Sequence, residues 1–140
     1  MEHYFTKTPK SELRIRKIKD KIRNREIEFY TASGLFSIEK IDKGSRLLIE
    51  KCYISHDAHS VLDLGCGYGI IGLSLKIEFS NLDITLSDIN ERAILLAKKN
   101  MELYKLKCKV IQGNGFENIK EKFDIILLNP PQTAGKKLCF

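Results

Sequence analysis

One short segment limits the folds open to this chain more than any other: Asp63-Leu64-Gly65-Cys66-Gly67-Tyr68-Gly69. It is preceded by an apolar run, Ser60 to Leu64, and followed by Gly69 to Phe79, which is apolar nearly all round. Glycines let a backbone turn through left-handed conformations and come close to a ligand. A loop that feeds a helix N-terminus also aims unpaired N–H groups at that ligand. The segment therefore predicts a buried strand, a tight glycine turn and a helix lying against a sheet. The pattern then repeats. Leu82 to Leu86 reads as a second strand, and Asn90 to Tyr104 as a helix, because Ala93, Leu96, Ala97, Met101 and Tyr104 recur at helical spacing. Lys109-Val110-Ile111 reads as a third strand and Phe123 to Leu128 as a fourth. Such alternation implies a parallel α/β sheet with right-handed crossovers.

A length of 140 residues fits one domain, and a hydrophobic fraction of 43% supplies a core. No apolar run approaches the roughly 18–20 residues of a membrane span. Met1-Glu2-His3-Tyr4-Phe5 lacks the layout of a secretion signal, so a cytoplasmic protein is expected. Cys52, Cys66, Cys108 and Cys139 form no Cys-x-x-Cys pair, which fits reduced thiols. His56-Asp57-Ala58-His59 has no cysteine or histidine partner at ligand spacing, and no metal is expected.

The net charge of +6 is unevenly placed. Lys7 to Arg25 holds nine basic residues against Glu12 and Asp20, and the rest is close to neutral. This is the footprint of contact with nucleic-acid phosphates, weighed against a solvated surface. Within the same leader, Ile15, Ile18 and Ile22 fit a helix stripe. Alternation through Ile18, Asp20 and Ile22, then Ile27, Phe29 and Thr31, fits a hairpin turning at Arg23-Asn24. Periodicity alone leaves both open. Asp42 reads as the N-cap of a helix from Lys43 to about Tyr53, with Leu47 and Leu48 facing the core.

The glycine turn has Gly-x-Gly-x-Gly spacing with Asp63 two residues ahead of Gly65. A carboxylate there repels a pyrophosphate and suits a ligand with a positive amine. Gly65, Cys66, Gly67 and Gly69 would form the cradle. Asp88, at the end of the second strand, stands where an acid accepts ribose hydroxyls. It also stands where a helix cap would, with Glu91 completing a capping box. Ile89 would pack on an adenine face. Asn114, in the turn Gly113-Asn114-Gly115-Phe116, would meet the adenine edge while Phe116 shields the ring; the alternative is a plain Asn-Gly turn.

The fourth strand runs into Asn129-Pro130-Pro131-Gln132. Two prolines stop a strand. They do not explain an asparagine at the carboxyl edge of the sheet, where open α/β sheets bind their ligands. Here the chain resembles the class I S-adenosylmethionine-dependent methyltransferases that modify amino nitrogens, whose hallmark is Asn-Pro-Pro followed by an aromatic. More narrowly it resembles the small-domain methyltransferases, the group of the ribosomal RNA small-subunit methyltransferase C guanine-N2 enzymes. The residues that carry this are His3-Tyr4-Phe5 with Pro9, Ser33-Gly34-Leu35-Phe36-Ser37, Ile41-Asp42-Lys43-Gly44-Ser45, Val61 to Gly69, Asp88 and Asn129-Pro130-Pro131. The resemblance implies S-adenosyl-L-methionine as cofactor, ribosomal RNA or a ribosomal subunit as partner, and a hairpin-like leader. It implies Asn129, Pro130 and Pro131 as the catalytic segment, and Phe36 and Gln132 at the substrate.

Two departures stand out. Gln132 replaces the aromatic that stacks on the target base. The chain also ends about eight residues past the motif, where family members continue through further strands. The visible strands are expected in the order 3-2-1-4, counted from Ser60, with the apolar fourth as an edge open to pairing, including as a homodimer. The alternatives are an amino methyltransferase acting on adenine N6 or a protein glutamine, or an inactive cofactor- or RNA-binding fragment.

Overall fold

The computed structural model describes residues 14–32 and 41–128. Its elements run β1 (Ile15–Ile22), β2 (Arg25–Ala32), α1 (Lys43–Lys51), β3 (Ser60–Leu64), α2 (Ile70–Glu78), β4 (Asp83–Asp88), α3 (Glu91–Leu103), β5 (Lys109–Gln112) and β6 (Ile125–Leu128). The main sheet is parallel and ordered β5-β4-β3-β6, the order expected for the four core strands. Helices α2 and α3 pack on it, α1 packs on α2, and β2 packs on α3.

The leader is a hairpin. β1 and β2 pair antiparallel, with Ile18 opposite Phe29 and Ile22 opposite Arg25. Ile18, Ile22, Ile27, Phe29 and Thr31 turn inward, whereas Lys17, Lys19 and Lys21 face outward. The two-residue turn has φ of 51° at Arg23 and 61° at Asn24, the pair of positive values that matches strand twist. Asn tolerates this conformation, but Arg pays about 1 kcal/mol for it. Arg23 is held there by its surroundings. Its N–H donates to Glu50 Oε1 at 2.9 Å, and its guanidinium donates to the carbonyls of Ile49 (2.7 Å) and Cys52 (2.6 Å). It thus closes the carbonyl end of α1, where a cation is favoured.

Asp42 caps α1 as expected, accepting from Ser45 N at 3.1 Å and from Ser45 Oγ at 2.8 Å. The expectation that Leu47 faces the core is wrong. Leu47 is 61% exposed, and the buried positions are Ser45 and Ile49, with Leu48 half-buried. Adjacent leucines lie about 100° apart on a helix, so only one of them joins the stripe. β6 starts two residues later than Phe123, because Asp124 turns to the loop before β3 and accepts from His59 N (2.7 Å) and Ser60 N (3.1 Å). Those amides hold the Asp124 carboxyl below the usual range.

Helix α2 lies close to the sheet because Gly72 has no side chain. A Cβ there would stand 2.5 Å from Leu86 Cδ2, 3.1 Å from Asp63 Oδ2 and 3.2 Å from Ile84 Cγ2. Leu86 and Ile84 are fully buried and cannot retreat without a shift of the helix. Gly72→Ala is expected to destabilise the chain by about 1–3 kcal/mol despite the better helix propensity of alanine, read by urea unfolding.

Candidate active site

The carboxyl ends of β3, β4, β5 and β6 share one edge of the sheet. The loop after β3 is pinned there by backbone bonds. Gly65 N and Cys66 N both donate to Ser87 O at 2.8 Å, and Gly69 N donates to Cys66 O at 2.9 Å. Gly65, Gly67 and Gly69 have φ of 75°, 57° and 92°, the left-handed region where a side chain is strained. At Gly69 the glycine also serves packing, since a Cβ would meet Leu73 Cδ1 at 2.9 Å. At Gly65 no atom of the described residues lies within 4 Å of a Cβ.

Asp88 organises this edge. Its Oδ2 accepts from Gly67 N at 2.8 Å and its Oδ1 from Asn90 N at 2.9 Å, while its carbonyl accepts from Gly113 N at 3.0 Å. One side chain thus joins the loops after β3 and β4, and its backbone reaches the loop after β5. Asp88 does not cap α3, contrary to one of the two roles its position suggested. The N-cap is Asn90, whose Oδ1 accepts from Arg92 N (2.9 Å) and Ala93 N (3.3 Å). The Asp88 side chain instead joins the loop after β3 to the loop after β4.

Asp63 lies under the glycine loop, 1% exposed, with Oδ2 accepting from Gly72 N at 2.9 Å in the first turn of α2. Its Oδ1 is buried with no hydrogen-bond partner among the described residues. Burial pushes this carboxyl up to about 7; the Gly72 N–H opposes the shift and the negative charge of Asp88 adds to it. Folding therefore loses stability as pH rises from the ordinary carboxylate value towards 7, and the loss is complete above 7. Asp63→Asn keeps an acceptor for Gly72 and removes the titration. Its unfolding free energy relative to the parent chain is expected to climb by up to about 4 kcal/mol between pH 4 and pH 7, then level off. A flat difference across that range would contradict the buried-carboxyl account.

Cys66, also buried, has its thiol pushed well up by burial and by the charges of Asp63 and Asp88, so it is a neutral packing group. Ile89 is half-buried, and its carbonyl accepts from Gln112 Nε2 at 3.2 Å. Asn114, Gly115 and Phe116 form an exposed turn, with Gly115 at φ 58° and Phe116 57% exposed. Thus Asp63, Gly65, Cys66, Gly67, Gly69, Asp88 and Ile89 gather at one edge, with the 113–116 turn beside them. Phe36, Asn129, Pro130, Pro131 and Gln132 lie outside the described residues.

This arrangement fits S-adenosylmethionine. Among the described residues, Asp63 Oδ1 is a buried acceptor without a hydrogen-bond partner and no atom lies within 4 Å of a Cβ at Gly65, which is compatible with a ligand that carries donors. Sequence patterns missed one residue that shapes the loop, Asn100. Its signal is an asparagine in line with the apolar stripe of α3, where it is fully buried and donates to Tyr68 O at 2.8 Å.

The leader's cations are partly engaged within the chain. Lys17 meets Glu28 (3.7 Å), Arg25 meets Glu78 (3.6 Å), and Arg23 lies over the Phe79 ring. Arg14, Arg16, Lys19 and Lys21 are exposed. Among the described residues, no helix is long and apolar enough to cross a membrane.

Comparison with known proteins agrees with the geometry. The chain is 39% identical to the uncharacterized protein YbxB of Bacillus subtilis, over 98% of its own length and 70% of that protein's. It is 37% identical to the ribosomal RNA small subunit methyltransferase C of Psychromonas ingrahamii, over 82% of this chain and 33% of that protein. It therefore spans about a third of the length of that curated methyltransferase. Among solved structures, the T. thermophilus 16S rRNA N2 methyltransferase RsmC, in complex with AdoMet and guanosine, superposes with a TM-score of 0.71 at 29% identity. The match covers 88% of this chain and 34% of that one. The family model described as "Methyltransferase small domain" matches residues 26–139, and the chain belongs to that methyltransferase family.

Proposed function

We propose that this chain binds S-adenosylmethionine on the glycine loop and transfers its methyl group to an exocyclic amine, the N2 of a guanine in ribosomal RNA. The observation that carries the reading is Asp88, which ties the glycine loop to the β4 end. Asp88 would accept the ribose hydroxyls and Asp63 would lie beneath the ammonium. Ile89, Asn114, Gly115 and Phe116 would enclose the adenine. The cofactor supplies an electrophilic methyl carried on a sulfonium. The protein's part is positioning. A guanine amine is a poor nucleophile because its lone pair is delocalised into the ring. The Asn129 side-chain oxygen and the Pro130 carbonyl, in a segment stiffened by Pro131, would accept its N–H groups and turn the lone pair towards the methyl. The new N–C bond forms as the S–C bond breaks, and the amine proton passes to water. Phe36 and Gln132 would contact a base that is unpaired or flipped out.

Support for an RNA substrate comes from the relatives' printed activities and from the exposed Arg14, Arg16, Lys19 and Lys21. A cytoplasmic chain acting as one domain over 1–140 belongs to the same proposal. The test is incubation with methyl-labelled S-adenosylmethionine and ribosomal RNA, followed by nucleoside mass spectrometry. N2-methylguanosine is the expected product. Label in adenine N6 or protein glutamine would favour another amino methyltransferase, and no label with intact cofactor binding would favour an inactive fragment.

Pairing of β6 with a second copy is also part of the proposal. Ile126 is 49% exposed and Leu128 42%, and among the described residues β6 pairs only with β3. Sedimentation is expected to show a dimer at micromolar concentration that Ile126→Lys converts to monomer. A monomer at all concentrations would remove this element.

A further inference from the structure

Asn100 is fully buried on α3, and its side-chain amide bonds in three directions. Oδ1 accepts from Tyr30 N at 2.6 Å, while Nδ2 donates to Tyr30 O at 2.9 Å and to Tyr68 O at 2.8 Å. One turn on, Tyr104 repeats the pattern: its hydroxyl accepts from Glu28 N and donates to Glu28 O, both at 2.8 Å. Four residues along a helix rise about 6 Å and two along a strand about 6.7 Å, so the side chains match the strand repeat. Helix α3 thereby offers β2 a substitute strand made of side chains.

Tertiary packing alone does not call for an asparagine here, since an apolar side chain would bury more hydrophobic surface. What the amide adds is a junction between two backbones. Tyr68 lies between Gly67 (φ 57°) and Gly69 (φ 92°), and its carbonyl accepts from the same amide that bonds Tyr30. We infer that Asn100 is a positioning residue that couples the hairpin to the glycine loop through Tyr30 and Tyr68, so that a load on the hairpin changes the loop's affinity for cofactor. The inference rests on the loop being the cofactor site. By reciprocity, cofactor binding would firm the hairpin, the same element whose exposed cations are proposed to meet RNA.

The test uses the full chain with two readouts: amide hydrogen exchange without ligand, and calorimetric affinity for S-adenosylhomocysteine. Tyr104→Phe removes both Glu28 bonds, keeps the ring against Phe29, and leaves the three Asn100 bonds in place. It is expected to speed exchange in β2 and also at residues 67–69, and to weaken S-adenosylhomocysteine by about 2- to 5-fold. Asn100→Ala is expected to weaken it by about tenfold or more, and adding Tyr104→Phe to that variant should change the loop no further. Faster β2 exchange in Tyr104→Phe with unchanged loop exchange and affinity would overturn the coupling, even if Asn100→Ala fails to fold. If the parent chain does not bind S-adenosylhomocysteine, the cofactor reading fails, and exchange at residues 67–69 alone decides the coupling.

Discussion

Replacing Asn129 with alanine is expected to lower methyl transfer by at least about 100-fold while leaving S-adenosylhomocysteine binding within about twofold. The argument is a division of labour along the sheet edge. The cofactor would rest on Gly65 and Gly67 in the loop after β3 and on Asp88 at the end of β4, tied together by the Gly65 N–Ser87 O and Gly67 N–Asp88 Oδ2 bonds. In sequence Asn129 follows Leu128, the last residue of β6, and β6 pairs with β3. Its side-chain oxygen would hold an amine whose lone pair must leave conjugation before it can attack. Losing that acceptor removes an interaction that strengthens in the transition state, so the effect falls on turnover. Single-turnover label transfer and calorimetry on the same preparation separate the two quantities. Loss of both together would mean that Asn129 supports the cofactor site.

Asp88→Ala is expected to act in the opposite way, weakening cofactor binding by about 100-fold or more. The carboxylate accepts from Gly67 N and Asn90 N and is proposed to meet the ribose hydroxyls as well. Hydrogen bonds to a charged group contribute about 1.5–3 kcal/mol each, and the amides left behind lose their acceptor. The variant should still fold, because the cap of α3 resides in Asn90 and the β3–β4 ladder is untouched. Circular dichroism checks the fold and calorimetry the affinity. Retention of parental affinity in a folded Asp88→Ala chain would remove the ribose assignment.

Much of this architecture was legible in the sequence because it rests on local rules. A glycine turn between a buried strand and an apolar helix, and an Asp-Lys-Gly-Ser cap at Asp42, leave few conformations open. The hairpin competed with a helix because isoleucines at 15, 18 and 22 satisfy a helical period while 18, 20 and 22 satisfy a strand period. The Arg23-Asn24 turn decides for the strand, and it holds because α1 supplies acceptors for Arg23 some 26–29 residues away in sequence. That partnership is tertiary and leaves no periodic trace. The outward turn of Leu47 and the cap at Asn90 escaped the sequence reading for a similar reason. Neighbouring residues of like chemistry compete for one role, and packing against the sheet chooses between them. Asn100 escaped notice because an asparagine in a helix interior reads as a propensity defect until its three hydrogen bonds, to Tyr30 and Tyr68, are in view. The Asn129-Pro130-Pro131 segment and Phe36 were legible only as motifs and lie outside the described residues.

The central claim, that the edge formed by β3 and β4 is an S-adenosylmethionine site, is tested most directly by calorimetric titration of the 140-residue chain with S-adenosylmethionine. The account predicts saturable binding at one site per chain, lost in Asp88→Ala. A folded chain that releases or absorbs no heat, and gains no thermal stability with the cofactor in excess, would contradict it.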